Sequence, residues 1–444
     1  MDSSLGSKIK KLRKELKMTQ AQLAEPEMTK SMLSQIENGL AMPSMKSLQF
    51  IAKKLNKPVS YFIDESSDHL VKNDNDDKDS YDHIVNELKK IDELIKSNAF
   101  KEALVCIEEL EHLTSLYDNS KLMGDILYKK GQCMMELDKL AEAVKLFYRA
   151  YEIYLNNNFY IEAAKSYAET TTEHWRNFEY GKCIDIYLKA KEIYDKSPNR
   201  DIHFEIELLH GLSVFYSAIG DFDVTSKYLD DALEISKTTG VYYKADELYR
   251  SKAVMNYIQG DHENYKINIE KAEQFAVFTE NKVIMKYIYS VKVVHENAIG
   301  NYDKALEYLE QMKKVNAPHH EYFYYREKAK ALYYLGKYDE ALENIKHVFY
   351  PDYASHKLDY LMMWSTKVYE GLIYSKLGQL NKSIDPILTA IEKMKKFGSS
   401  RLLAFALESA SDIYYQMGEF EKAYNYLKEA NHMKNDIIKN KIYF

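Results

Sequence analysis

Glycine and proline are scarce in this sequence, with 15 and 7 in a chain of 444 residues. So few turn-formers, with few Val/Ile alternations, argue against sheets and predict long helices joined by short connections. Cysteine is scarcer still. Cys106, Cys133 and Cys183 are odd in number, widely spread and never in a CxxC pair. Neither a disulfide framework nor a zinc site is expected, and the three read as small packing residues. No stretch approaches 18 consecutive apolar residues, so no membrane span and no membrane partner are expected. Met1 to Leu16 is charged and lacks an apolar run, so a secretory signal is not expected and the compartment expected is the cytoplasm. No glycine-rich phosphate loop, HExxH or nucleophile-elbow pattern occurs. The expectation is a protein that is not an enzyme and carries no cofactor or metal.

What is present divides unevenly. A chain of this length, 46 % apolar, calls for at least two domains or an extended repeat array. Residues 1–64 hold 11 Lys/Arg against 6 Asp/Glu, a charge of +5, whereas the rest holds 50 against 62, a charge of −12. A small basic head on a large acidic body suits a polyanionic partner for the head alone.

Ile9, Leu12 and Leu16 recur at helical spacing and predict an amphipathic helix over roughly 4–17. Thr19 offers an N-cap for a short helix, Gln20 to Ala24, which Pro26 stops. Thr29 caps a third helix, Lys30 to Asn38, with Gly39 behind it. Pro43-Ser44 opens a fourth carrying Leu48, Ile51, Ala52 and Leu55, and Pro58 precedes a last turn, Val59 to Ile63. Leu33 and Ile36 are expected in the core. Five short helices with a tight turn between the second and third make a helix-turn-helix layout. The strings "MTQAQLA", "MLSQIENG", "PSMKSL" and "VSYF" resemble the phage-repressor/XRE family of such domains. The connection "EPEM" departs from that family, being one residue shorter and without the usual glycine, which implies a slightly altered turn. The resemblance puts the third helix in the major groove of double-stranded DNA. It places Thr29, Lys30, Ser31, Ser34 and Gln35 at base-reading positions, and Gln20 and Asn38 where side chains hold the phosphate backbone.

Residues 65–80, "ESSDHLVKNDNDDKDS", are polar and acidic and are expected to form a solvated, flexible linker. A calcium loop is the alternative, but its glycine turn and terminal glutamate are missing.

From 81 to 444 the sequence repeats itself. "NAFKEA", "DKLAEA", "FEYGKC", "GDFDVT", "GDHENY", "GNYDKA", "GKYDEA", "GQLNKS" and "GEFEKA" begin at Asn98, Asp138, Phe178, Gly220, Gly260, Gly300, Gly336, Gly378 and Gly418, spaced 36 to 42 residues apart. Seven residues after each motif's last position a second small residue often follows: Ala150, Ala190, Ala232, Ala272, Ala390 and Ala430. These marks resemble tetratricopeptide repeats with a period longer than the usual 34. The resemblance implies about nine antiparallel helix pairs stacked as a right-handed superhelix, so the expected fold is all-α. "FEYGKC" and "GDHENY" are the weakest matches. In such arrays the first helix of each pair lines the concave face. Counting 13, 10, 6, 3 and 2 residues back from each turn gives groove candidates: Lys165, Thr172, Trp175 and Arg176; Glu207 and His210; Glu247, Arg250 and Tyr257; Tyr287 and Asn297; Arg326, Lys330, Tyr333 and Tyr334. Such a groove suits an extended peptide, because Asn pairs with a backbone amide, Arg or Lys with a carboxylate, and Tyr or Trp supplies flat apolar area. His174, His210 and His295 fall on separate repeats, and no spacing makes them ligands of one metal.

The two halves together resemble the peptide-pheromone receptors of Gram-positive bacteria, the Rap, Rgg, NprR, PlcR and PrgX group, and NprR-like members most. That resemblance implies a quorum-sensing transcription factor controlled by a short signalling peptide. It also implies a homodimer, for which Leu403, Tyr414, Tyr415 and Tyr424 are candidate surface. Two alternatives stand beside it: a regulator whose groove binds a protein such as a response regulator, and a constitutive repressor whose repeats only dimerise.

Overall fold

The computed structural model describes residues 5–25, 27–37, 43, 45–55, 57, 62, 76–114, 121–317, 321–350, 352–440 and 442. Among them the secondary structure is helical, with short turns and no strand. The chain divides into two compact units, Met1–Asn86 and Glu87–Phe444.

In the first unit, α1 (Leu5–Glu15), α2 (Gln20–Ala24), α3 (Lys30–Glu37) and α4 (Met45–Lys54) surround a core of Ile9, Leu12, Leu23, Leu33, Ile36, Leu48, Ile51 and Leu55. Leu16, expected on the apolar face of α1, is instead 51 % exposed. The reason is local: α1 ends at Glu15 and Lys17 turns left-handed, φ 53°. At Gly6 an added Cβ would come within 2.2 Å of the Ile36 carbonyl oxygen, so only glycine lets α1 approach α3 so closely. Thr19 and Gln22 form a capping box on α2. In the shortened connection Met28 is buried and its N–H donates to the Ala24 carbonyl, which replaces the missing glycine with an apolar anchor. Of the expected fifth helix only Phe62 is described, and it is buried in the same core; Pro26, Asn38 and Gly39 lie outside the described residues.

One charged pair crosses this core. Glu37 accepts Arg13 Nε at 2.5 Å and Nη2 at 2.9 Å, and it also accepts Gln20 Nε2 at 2.8 Å. Arg13 Nη1 donates in turn to the Met18 carbonyl at 2.8 Å. Burial alone would raise the Glu37 carboxyl, but the Arg13 and Gln20 hydrogen bonds outweigh it and hold the group below its usual range. One carboxylate therefore ties α1, α2 and α3 together.

Among the described residues the second unit contains nine helix pairs, the first helix of which begins in the first unit. They are α5 (Asp76–Lys96) with α6 (Phe100–Thr114), α7 (Lys121–Glu136) with α8 (Leu140–Asn156), and α9 (Tyr160–Glu169) plus α10 (Thr172–Arg176) with α11 (Tyr180–Tyr194). Next come α12 (Ile202–Ile219) with α13 (Phe222–Thr239), α14 (Ala245–Gln259) with α15 (His262–Phe278), and α16 (Lys282–Ala298) with α17 (Tyr302–Lys314). The last three are α18 (Glu321–Tyr334) with α19 (Tyr338–Ile345), α20 (Lys357–Lys376) with α21 (Ile384–Lys395), and α22 (Arg401–Gln416) with α23 (Phe420–Lys439). Residues 76–80, expected in the linker, are helical instead; an acidic segment is favoured at a helix N-terminus, where it meets the positive end of the dipole. Residues 65–75 lie outside the described ones.

All nine turn positions read from the sequence adopt a left-handed backbone, with φ between 59° at Phe178 and 88° at Gly220. The small residues after them are buried where paired helices cross: Ala150, Ala190, Ala232, Ala272, Ala390 and Ala430 are fully buried. A larger side chain there would push the helices apart. "GDHENY" breaks the small-residue rule with Tyr265, whose ring stacks on His295 at 4.0 Å and fills the space between repeats. The cysteines are free, with Cys133 and Cys183 fully buried.

Replacing Glu37 with alanine strands the Arg13 guanidinium in the core of the head. The expected cost is about 3 kcal/mol, read from the unfolding transition of the first unit, while Arg13→Met with Glu37→Leu loses less. A single-mutant loss under about 1 kcal/mol means that the pair is not what fixes α3.

Candidate nucleic-acid interface and ligand groove

Helix α3 divides cleanly. Leu33, Ile36 and Glu37 are buried, whereas Lys30, Ser31 and Gln35 are exposed and Ser34 is half-buried. Thr29 caps the helix, its hydroxyl accepting the Met32 N–H at 3.2 Å, so its side chain is partly committed to the backbone. Gln20 opens α2 and is held to Glu37, which fixes its direction and leaves its second amide N–H and its amide oxygen for other partners. Lys54 Nζ donates to the Gln22 carbonyl at 2.6 Å and to the Glu25 carbonyl, closing the C-terminal end of α2. The exposed face of α3 therefore carries one cation and several neutral donor–acceptor side chains on a rigid support, the chemistry that base edges require. Asn38 lies outside the described residues.

The groove candidates fall into three groups. Glu207, His210, Glu247 and Arg250 meet between α12 and α14. Arg250 binds Glu247 through Nε at 2.9 Å and Nη2 at 2.6 Å, and its guanidinium lies 5.6 Å from the Tyr287 ring centroid. Burial would raise the Glu247 carboxyl, yet the charge of Arg250 prevails and holds it at about 2. His210 Nε2 is 3.4 Å from the Ser251 hydroxyl and 3.9 Å from Glu247. Burial pushes its imidazole down to about 4, outweighing the neighbouring carboxylate, so the ring is neutral near pH 7. Glu207 accepts the Tyr243 hydroxyl at 2.6 Å and pairs with Lys244 at 3.4 Å.

Asn297, Arg326 and Lys330 form the second group, around a glutamate the sequence reading passed over. Glu327 accepts Asn297 Nδ2 at 2.9 Å and Arg326 Nε at 2.8 Å. Asn297 and Arg326 are buried in this network and do not line an open surface; buried charge demands a partner, and Glu327 supplies it. Asn297 Oδ1 is buried without a hydrogen-bond partner. Lys330 stands 6.0 Å from the Tyr369 ring centroid. Tyr257 packs edge-on against His295, and burial pushes its hydroxyl up to about 12.

Trp175 and Arg176 belong elsewhere. The Trp175 indole donates to the Ser355 carbonyl at 2.6 Å, and Arg176 pairs with Asp138 of the previous repeat while lying over Tyr353. Both are engaged with other parts of the chain. Of the candidate dimer residues, Leu403 and Tyr414 are buried in the core of the last two repeats, as their place on the packed face of α22 requires. Tyr415 and Tyr424 are 66 % and 64 % exposed.

Glu169, Ser251, Glu327 and Tyr369 share a register the count omitted, nine residues before the turns at Phe178, Gly260, Gly336 and Gly378. That position is one helical turn from those at 13 and 6, so it belongs to the same face. Glu169 is its most informative member: burial raises its carboxyl to about 7, although the Tyr128 hydroxyl donates to it at 3.3 Å. Among the described residues no cluster of His, Cys, Asp and Glu is arranged to hold a metal ion, and no helix is long and apolar enough to cross a membrane.

Residues 9–62 match the helix-turn-helix family and residues 406–436 the tetratricopeptide repeat family. No curated protein sequence matches the chain. Among solved structures, a Rap protein complexed with Competence and Sporulation Factor is similar in fold, with TM-score 0.52 and 17 % identity over 81 % of this chain and 99 % of that one. The apo form of the quorum sensor NprR from B. thuringiensis gives TM-score 0.45 and 12 % identity over 81 % and 99 %. Bacillus thuringiensis PlcR in complex with the peptide PapR7 and DNA gives 0.40 and 19 % over 65 % and 99 %. The chain is thus a helix-turn-helix head followed by tetratricopeptide-type repeats, the architecture its sequence resembles.

The neutral imidazole of His210 has a pH signature. Its folded value lies below that of the unfolded chain, so its contribution to stability is full above pH 6.5 and is lost as pH falls toward 4. At pH 5 the loss is about 2 kcal/mol, so His210→Gln should flatten the decline in urea midpoint between pH 7 and pH 5. An unchanged decline in that variant would show that the ring titrates alike in the folded and unfolded chain.

Proposed function

We propose that this chain is a peptide-responsive transcriptional regulator of the peptide-pheromone receptor type, acting in the cytoplasm. Its head binds double-stranded DNA, and a short signalling peptide occupies the face formed by the first helices of the repeats. The observation that carries the reading is the division of α3: its inner face is pinned by Glu37 and Arg13, and Lys30, Ser31 and Gln35 stand exposed on the other. A polar face fixed this firmly is of use only against a partner with its own fixed pattern of donors and acceptors. The excess positive charge of the head suits phosphate.

Support for the peptide comes from the half-buried Arg250–Glu247 pair, which lies beside Tyr287 of the next repeat and shares its helix with Tyr257. Such pairs offer both a cation and a carboxylate to a peptide main chain and its termini. The fold-related Rap structure is itself complexed with Competence and Sporulation Factor. A homodimer fits the exposed apolar row on the last two helices, Tyr415, Phe420, Tyr424, Leu427 and Ile438. Two heads would then read two half-sites, supplying the phosphate contacts that one head lacks.

Lys30→Ala combined with Gln35→Ala should weaken binding of the full chain to its promoter by about 2–4 kcal/mol. Unaltered promoter affinity in that double variant overturns the DNA-binding face. For the repeats, mass spectrometry of natively purified protein should find a retained short peptide, and that peptide should raise the melting temperature of stripped protein. A purified chain without peptide, together with no thermal shift across a panel of short secreted peptides, overturns the receptor reading.

A further inference from the structure

The third repeat departs from the others at its turn. Six repeats carry glycine at the left-handed position, and Asn98 and Asp138 fill it in the first two; the third carries Phe178, with φ 59°. A bulky side chain is unfavourable in that conformation and persists only where its surroundings over-determine it. The surroundings of this ring are remote in sequence. Phe178 packs edge-on against Phe397 at 4.9 Å and Tyr360 at 5.5 Å, with Tyr353 at 5.9 Å between centroids. The Lys396 ammonium lies 3.7 Å from the Tyr360 centroid and 4.7 Å and 5.0 Å from those of Phe178 and Phe397, so one cation is shared by three rings.

Two hydrogen bonds flank this cluster. Trp175 donates its indole N–H to the Ser355 carbonyl across 180 positions of sequence. The Ser217 hydroxyl meets His356 Nε2 at 3.2 Å, while His356 Nδ1 accepts the Leu358 N–H and caps α20. A ring whose Nδ1 accepts carries its proton on Nε2 when neutral, so His356 donates to Ser217. All these contacts join the third and fourth repeats to the eighth. They reach past the fifth, sixth and seventh repeats in sequence, and beside them Leu358 of α20 packs on the core of Phe222 and Met255 from the fourth and fifth.

We propose that this seam is a clasp: the Phe178 ring, seated among Tyr353, Tyr360, Phe397 and the Lys396 ammonium, closes the third to eighth repeats into a ring, and parting it opens their inner face to an incoming chain. The clasp accounts for the one aromatic among the described left-handed residues, which neither stacking nor turn geometry requires. It also accounts for Trp175, which sits at a groove position yet spends its only donor on the opposite repeat. The inference does not depend on what the inner face binds.

Phe178→Gly tests it in the full chain, because glycine is what six other repeats use and the turn relaxes as the ring is lost. Trp175 and Trp364 are the only tryptophans, and Trp364 is buried, so acrylamide quenching of fluorescence reports mainly on the seam. With helix content unchanged, quenching should rise at least about twofold, hydrogen exchange over 353–360 should quicken, and the radius of gyration should increase. Phe178→Tyr keeps an aromatic ring at the seam and should behave as wild type. A folded glycine variant with wild-type quenching, exchange and radius overturns the clasp. Phe178→Asn, a residue that Asn98 shows is tolerated at such a turn, carries the same readouts if the glycine variant does not fold.

Discussion

Two antiparallel helices joined by a tight turn fold back on each other here through one joining residue that takes a left-handed backbone conformation. That constraint recurs at nine positions in this chain, from Asn98 to Gly418, and most of the second unit depends on it. With the turn fixed, the residue five positions later and the one seven beyond it fall at the crossing of the pair, which is why they are buried and in most repeats small, Tyr265 being an exception. With the crossing fixed, the first helix of each pair presents one constant face. The charged groups at Glu247–Arg250 and Arg326–Glu327 then follow from where that face lies.

The same constraint explains what was legible in the sequence. Glycine at a left-handed turn and alanine at a helix crossing are demanded by backbone geometry, so both stand out as a period, and the helix pairs follow. The head was legible for a related reason: Thr19 and Thr29 mark helix starts by what their hydroxyls can accept. Leu16 was misread because apolar spacing does not say where a helix stops, and the left-handed turn at Lys17 comes one residue after it. Leu403 and Tyr414 were misread because repeat position alone does not tell the packed from the open side of α22.

The groove was less legible, and the failures share a cause. Counting back from a turn gives a face but not a partner. Asn297 and Arg326 do fall on the first helices, but whether such a side chain meets solvent depends on the residues across the next helix. There Glu327 takes up both. Glu327 and Glu169 were passed over because the count omitted the register nine residues before the turn, which the same helical geometry includes. Register put Trp175 among the groove positions, and its partner escaped notice, because no local pattern connects residue 175 with residue 355.

The contrast between Phe178 and the other turns bears on how such an array holds its shape. Stacked repeats fix each neighbour to the next, and a small change at every interface adds up over the array. Neighbour packing alone leaves that sum free to vary, so curvature is soft unless something spans several repeats. The contacts of Phe178 and Trp175 with the segment from Tyr353 to Phe397 span the four repeats between the third and the eighth, and that of Ser217 spans three. A link of that kind gives the array two discrete states, shut and parted, where neighbour packing would give a continuum. Two discrete states are what a ligand needs if its binding is to be felt at a distance, since a ligand shifts an equilibrium only by its difference in affinity for the two.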